Sequence, residues 1–314
     1  MNLKHIIIII FLTIILLFGL FVSFNPTNFN PFKNKIKIPN ILVENFIGDT
    51  LDLDSNTNKK NPMKKLITKN KITHKNLVFT SAGNNTNFHK LWIGPDKNYD
   101  IMVVYYGNDE KMFKNYESKV DYIMKRKGSK FQNFHYVYNN HLDIINKYDR
   151  FFILDDDIIF NVNDINEMFH LSQKYNFWIC GPTFKNVKEC KLSHHITISK
   201  PNTLFRYTNF IEVNVPLFNR YALDMLMKHF DPILIGWGID FLYIWACGND
   251  KKDKYALIDK VTCINPHDNK KNNKRELNNI KNVHNRKEIW EKFKKKYKIK
   301  INENKFITWK KIPL

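Results

Sequence analysis

The stretch FFILDDD, residues 151–157, decides the fold of this 314-residue chain. Four apolar residues in succession predict a strand that is buried on both faces, as in a parallel sheet. The three carboxylates that follow repel one another, and a divalent cation such as Mg²⁺ or Mn²⁺, which prefers oxygen ligands, would relieve that repulsion. In extended backbone, Asp155 and Asp157 face one side and Asp156 the other. We therefore expect a metal site at Asp155 and Asp157, with Asp156 bracing the loop; the alternative is a solvated acidic turn.

Further strands and helices surround this strand. Apolar runs predict strands at 77–80, 99–106, 177–180, 196–199, 210–215 and 255–264. Helical spacing predicts helices at 110–127, 131–145, 164–174, 220–230 and 240–247. This alternation is typical of an α/β domain with a mostly parallel sheet flanked by helices. Ligands of such sheets bind at the carboxyl ends of the strands, where the aspartate run lies.

The N-terminus carries an apolar stretch, residues 6–24, that is long enough to cross a membrane. An uncleaved signal anchor is the favoured interpretation, and a cleaved signal peptide is the alternative. We predict a transmembrane helix in residues 1–25, a stem in 26–75, a catalytic domain in 76–268 and a basic, partly helical C-terminal extension in 269–314. The protein would then be a single-pass type II membrane protein with a lumenal, Golgi- or ER-like, or extracytoplasmic domain.

Composition restricts the partners. Lys and Arg total 50 against 30 Asp and Glu, a formal charge of +20. The excess is mostly Lys spread along the chain, as AT-rich coding sequences produce, and no zinc-finger or RNA-recognition motif is present, so no nucleic-acid partner is expected. The four cysteines form no CxxC pair. Disulfides and buried free thiols are both compatible with them.

Several other residues could take part in chemistry. In the stretch GWGID, residues 236–240, two glycines permit close backbone approach and Trp237 can present an aromatic face to a sugar. Asp240 could act as a general base, or its charge could simply favour a helix N-terminus. Glu212 lies in a predicted apolar strand and could bind an acceptor, or be exposed on the surface. His267 is a candidate metal ligand if the fold brings it to the aspartate run; the pair at 194–195 ranks below it.

A phosphatase is a second interpretation. An apolar strand that ends in Asp-x-Asp also opens the active site of haloacid-dehalogenase-type phosphatases, whose first Asp is the nucleophile. That motif usually lies on the first strand of the domain. Here at least two predicted strands precede residue 151, which weakens the phosphatase interpretation.

Four features, in order, resemble a family of plant and microbial proteins often labelled lysine-ketoglutarate-reductase trans-splicing related, whose domain looks like a GT-A glycosyltransferase. The resemblance covers roughly residues 77–268. Its features are the run at 155–157, the stretch HHITI at 194–198, the segments FIE at 210–212 and PLFNR at 216–220, and GWGID at 236–240 with Cys247 and His267.

The resemblance implies a metal-dependent transfer of sugar from a nucleotide-sugar to an unknown glycan, protein or lipid acceptor, with Mn²⁺ or Mg²⁺. The chain departs from the family at Asp156, where Glu is usual, and in a shorter segment before Glu212. A phosphohydrolase or a catalytically silent, membrane-anchored sugar-binding protein are the alternatives. The roles implied are metal binding by Asp155, Asp157 and His267; donor binding by Thr80, Ser81, Ala82, Gly83, Asp155 and Asp156; acceptor binding by Glu212, Gly236, Trp237 and Gly238; and base catalysis by Asp240 if the reaction inverts.

Overall fold

The computed structural model describes residues 64–65, 74–267 and 280–314. The predicted membrane segment and nearly all of the predicted stem lie outside these residues, so their structure stays a prediction. None of the helices formed by the described residues is long and apolar enough to cross a membrane.

The described residues form ten strands and eight α-helices. The strands are β1 (Lys64–Lys65), β2 (Asn76–Ala82), β3 (Asp100–Tyr105), β4 (Tyr122–Lys125), β5 (Arg150–Ile153), β6 (Ile179–Phe184), β7 (Thr203–Thr208), β8 (Leu217–Asn219), β9 (Tyr255–Cys263) and β10 (Thr308–Pro313). The helices are α1 (Phe88–Leu91), α2 (Glu110–Glu117), α3 (Lys130–Asn140), α4 (Leu142–Ile145), α5 (Val162–Lys174), α6 (Arg220–His229), α7 (Ile239–Cys247) and α8 (Arg286–Tyr297).

All the strands belong to one sheet in the order β1-β4-β3-β2-β5-β8-β6-β9-β7-β10. From the pairings, β2 to β6, β9 and β10 run in one direction, and β1, β7 and β8 run in the other. The predicted α/β class with a mostly parallel sheet is therefore confirmed. The chain moves outward from β2 through β3 to β4 and then returns to place β5 on the other side of β2. This reversal is the kind of point at which α/β sheets bind ligands.

Strand β5 is buried on both faces, as its apolar run predicted. Phe151 and Ile153 pack in the hydrophobic cluster on one face of the sheet, and Phe152 and Leu154 pack in the cluster on the other. The side chains alternate because successive Cβ atoms of a strand point to opposite faces. The backbone that leads into Asp155 is thus held firmly from both sides.

Several predicted elements have other bounds in the structure, and the helix predicted over 131–145 is two helices, α3 and α4. The helix predicted over 110–127 ends at Glu117, and residues Tyr122–Lys125 form β4 instead. Strand β6 does not stop at Gly181-Pro182 but continues to Phe184. Pro182 is tolerated because β6 pairs with β8 only through Ile179 and Cys180, so no ladder bond from that side needs its missing N–H.

Two predicted strands are wrong. Residues His195–Thr197 form a 3₁₀ turn, and residues 212–215 form a tight turn in which the Val215 N–H donates to the Glu212 carbonyl at 3.2 Å. The strand of this region is β7, which lies between them and pairs with β9 and β10.

The C-terminal residues 280–314 join the same sheet and core. Strand β10 pairs with β7, and Trp290 of α8 is fully buried. Gly238 has φ of +82°, and a Cβ added there would lie 2.2 Å from the Trp290 ring. A glycine is therefore required under this indole both by its backbone conformation and by space.

All four cysteines are buried free thiols. Of the two interpretations, buried thiols are therefore confirmed and disulfides are not. Burial raises the pKa of each thiol.

Candidate functional site

The aspartate run lies where the carboxyl ends of β2 and β5 meet. The Asp156 carboxylate accepts a hydrogen bond from the Gly83 N–H at 2.9 Å and from the Tyr106 hydroxyl at 3.3 Å. A Cβ on Gly83 would lie 2.7 Å from the Tyr106 ring, so a larger residue would have to displace that ring. Asp156 thus braces the loops after β2 and β3, the place predicted for the middle residue of the run.

The loop after β2 also binds the backbone of the run. The Asn87 N–H donates to the Asp156 carbonyl at 2.8 Å, and its side-chain amide donates to the Asp157 carbonyl at 2.5 Å. The predicted donor-binding stretch therefore lies beside the aspartates through Gly83. Thr80 and Ala82 are fully buried in the sheet, Ser81 accepts a hydrogen bond from Asn133, and Gly83 contacts the Asp156 carboxylate.

Asp155 is held by two residues that the sequence did not reveal. The Lys130 ammonium lies 2.8 Å from Oδ1, and the Asn214 amide donates to Oδ2 at 2.6 Å. Lys130 also donates to the carbonyls of Ile153 at 3.2 Å, Val213 at 2.7 Å and Asn214 at 3.1 Å. Burial lowers the pKa of Lys130, and the neighbouring Asp155 carboxylate opposes that shift. Lys130 therefore fastens the end of β5 to the 212–215 turn.

The third aspartate and the predicted histidine ligand differ in burial. Asp157 is buried, with 5% of its surface exposed. His267 is exposed, and its Nε2 lies 3.0 Å from the Lys188 carbonyl. Within residues 64–65, 74–267 and 280–314, no three His, Cys, Asp or Glu side chains are grouped as a metal centre would require. The assignment of Asp155, Asp157 and His267 as metal ligands stays a prediction.

The 212–215 turn carries a second cluster. Glu212 is 5% exposed, so it is not the surface residue of the alternative interpretation. Its carboxylate accepts a hydrogen bond from His194 Nδ1 at 2.7 Å. The imidazole packs edge-on against Phe210, with ring centroids 4.6 Å apart, and against Phe306 at 5.0 Å. This bond raises the pKa of His194 above its ordinary value, although burial opposes the shift.

Asp240 belongs to the same cluster. It lies in the first turn of α7 with 7% of its surface exposed. Burial raises the pKa of Asp240 to about 8, and the charge of Glu212 adds to the effect. The carboxyl is therefore mostly protonated at neutral pH, where it accepts a proton less readily than an ordinary aspartate.

A buried ion pair fixes the segment that bears His194. Arg206 on β7 binds Asp259 on β9 through Nε at 2.8 Å and Nη2 at 3.1 Å. The remaining guanidinium donors reach the carbonyls of Ile196 and Ile198, each at 3.0 Å. Both charged side chains are almost fully buried, so the guanidinium holds the turn after His194 rigidly.

The GWG stretch precedes Asp240 and exposes its Trp residue. Gly236 and Gly238 both adopt positive φ, and Trp237 between them is 42% exposed. Arg286 and Lys287 lie 6.0 and 5.9 Å from the centroid of the Trp237 ring. The aromatic face that the sequence predicted is thus accessible and flanked by cations. Surface depressions of about 120 and 290 Å³ lie elsewhere, around Asn161, and contain no predicted site residue.

No protein-family model and no curated protein matches the chain. Among solved structures, it is similar to the TarS 1-349 fragment of S. aureus, with TM-score 0.46 and 10% identity over 60% of this chain and 59% of that one. The same fragment in complex with UDP-GlcNAc gives TM-score 0.42 and 10% identity over 60% and 57%. The chain thus spans about three fifths of these fragments. At such scores the likeness carries no argument about function.

Proposed function

We propose that the chain is a GT-A-type glycosyltransferase that moves a sugar from a nucleotide-sugar to a hydroxyl of a glycan, protein or lipid acceptor. The observation that carries the proposal is the 212–215 turn. Through Asn214 it holds the Asp155 carboxylate, and through Glu212 it holds a proton-accepting cluster. Group transfer needs a site for the leaving group and an acid–base group for the nucleophile, both held in fixed geometry.

The carboxylates of the aspartate run are chemically suited to bind a divalent cation. The run offers carboxylate oxygens, the ligands that Mn²⁺ and Mg²⁺ prefer. Asp157 and Asp155 would hold the ion, with His267 as a third ligand, and the ion would supply Lewis-acid charge to the leaving diphosphate. Lys130 already lies on Asp155 Oδ1, so it competes with a metal for that oxygen.

The remaining predicted roles complete the proposal. Gly83 would lie against the nucleotide, and Trp237 would offer its exposed ring to the acceptor. The apolar stretch at 6–24 would anchor the chain in the membrane, with the catalytic domain in a lumen or outside the cell.

A binding experiment tests the donor site. We expect UDP or GDP with Mn²⁺ to raise the melting temperature of the protein by about 5–10 °C at concentrations near 100 times Kd. Asp157→Asn should weaken nucleotide binding at least tenfold in calorimetry, because it removes a charged metal ligand. Asp143→Asn, at an exposed carboxylate of α4, is the matched control and should bind as the parent does. Equal affinity in Asp157→Asn and the parent would reject this donor site.

The two alternative functions give different results in the same samples. A phosphatase of the haloacid-dehalogenase type would hydrolyse p-nitrophenyl phosphate and form an aspartyl-phosphate at Asp155. The position of β5 after β2, β3 and β4 argues against that reaction. A catalytically silent sugar-binding protein would bind a nucleotide-sugar without ever releasing the nucleoside diphosphate.

A further inference from the structure

The clearest acid–base geometry of the molecule is at His194, to which the resemblance assigns no role. The ring donates from Nδ1 to a buried carboxylate, which leaves the lone pair of a neutral imidazole on Nε2. Within the described residues, Nδ1 is the atom of this ring that makes a hydrogen bond. The side chain is 28% exposed, so part of the ring is accessible to a substrate.

From this arrangement we infer that His194 is the general base of the proposed transfer, oriented by Glu212, and that Asp240 is not. The inference rests on the proposed function and names the proton acceptor of that same site. A histidine held by a carboxylate is a common way to fix the tautomer and stabilise the imidazolium that forms. Glu212 acts here as a positioning residue.

The chemical step balances without a further reactant. His194 Nε2 takes the proton of the acceptor hydroxyl as that oxygen forms a bond to the anomeric carbon of the donor sugar. The bond from this carbon to the diphosphate oxygen breaks, and its electron pair leaves with the nucleoside diphosphate. A single displacement of this kind inverts the anomeric configuration.

The surroundings of His194 favour this role over Asp240. The charged and titratable groups that act on the ring are Glu212 on the turn and Asp240 on α7, while the C-terminal segment contributes the apolar Phe306. Asp240 keeps its proton until about pH 8. Below that pH, Asp240 is a neutral carboxyl beside the His194–Glu212 pair.

The test uses the full chain, Mn²⁺ and UDP-GlcNAc, GDP-mannose and UDP-glucose as donor probes, with water as acceptor. Donor binding and nucleoside diphosphate release are measured from pH 5.5 to 9. We expect release by the parent protein to rise with pH through a limb above about 6.5. His194→Asn should slow release at least 100-fold while donor affinity stays within about threefold. His195→Asn, at the adjacent exposed histidine, is the matched control and should behave as the parent does.

Two further variants distinguish between His194 and Asp240 as the general base. Glu212→Gln should move the limb to lower pH, because it removes the carboxylate that raises the pKa of His194. Asp240→Asn should slow release at least tenfold less than His194→Asn does. If His194→Asn does not fold, His194→Gln, which can still donate to Glu212, serves in its place.

The outcomes are distinguishable. Full release by His194→Asn, or loss of release only in Asp240→Asn, overturns the inference while leaving the proposed function intact. Donor binding without release at any pH is the result expected of a catalytically silent sugar-binding protein, so it counts against the proposed function and with it against the base. Failure of the parent protein to bind any donor with Mn²⁺ counts against the proposed function itself and therefore against the base.

Discussion

At the scale of single residues, the Asp240 carboxyl shows how burial changes the chemistry of a group. In the unfolded chain its pKa lies near the ordinary value of 3.8, whereas burial in the fold raises the pKa to about 8. Between these values the unfolded state binds fewer protons than the folded state. The free energy of unfolding therefore falls as pH rises through this window, by up to about 1.4 kcal/mol per pH unit.

Asp240→Asn should remove this penalty, because the amide is uncharged at every pH. We expect the melting temperature of the variant to exceed that of the parent by about 5 °C at pH 8.5, and the difference to shrink towards pH 5. Thermal unfolding followed by circular dichroism across pH 5–9 measures it. Parallel pH curves for variant and parent would show that the carboxyl is ionised in the fold; Asp143→Asn is the exposed control.

Predictability from sequence differs among the site residues. The run at 155–157 and Glu212 stood out because charged residues are rare beside apolar strands. Lys130 and Asn214 gave no such signal. Lys130 is one of 50 Lys and Arg residues, and its bond to Val213 spans 83 positions. Only the folded sheet brings these partners together.

At the scale of elements, β7, β9 and the segment before β7 depend on Arg206. Replacing it by Met would leave the buried Asp259 carboxylate without its ion-pair partner. We expect a loss of about 3–5 kcal/mol in the free energy of unfolding, measured by urea denaturation. Lys260→Met is the control, because Lys260 lies on β9 beside Asp259 and its ion pair with Glu167 is exposed. Loss of that ion pair should lower the free energy of unfolding by less than about 1 kcal/mol. Similar losses in the two variants would contradict this account of Arg206.

Short elements were the hardest to predict. Val120 and Ile123 match helical spacing, yet Tyr122, Ile123 and Met124 are all buried because β4 lies within the sheet. Four apolar residues fit a buried strand and a buried helix equally well. The longer elements α6, α7 and β9 were predicted nearly to the residue, since each has nine or ten residues over which its pattern can be recognised.

At the scale of the whole molecule, the predicted C-terminal extension is part of the sheet and the core. A chain that ends at residue 268, the predicted domain boundary, would lose β10 from the edge of β7 and the buried rings of Trp290 and Phe293. We expect this truncation to abolish cooperative thermal unfolding, because burial of such rings contributes several kcal/mol of a small net stability.

Removal of Leu314 alone, which is 73% exposed, is the control and should leave the melting temperature nearly unchanged. If the chain ending at 268 melts cooperatively within about 2 °C of the parent, residues 280–314 do not contribute to the core. The contribution of α8 to the core could not be predicted from the sequence, because this helix is rich in Lys and only two of its residues, Trp290 and Phe293, are buried.

The four buried thiols can be used to measure how often parts of the native protein open. Thiolates, not thiols, react with reagents such as dithionitrobenzoate, and burial keeps all four cysteines protonated and out of reach. Labelling can therefore proceed only when the surrounding segment opens. Cys180 on β6 and Cys247 on α7 lie in different parts of the sheet and helix layers. The time course of their labelling reports separately how often each part of the native protein exposes its interior.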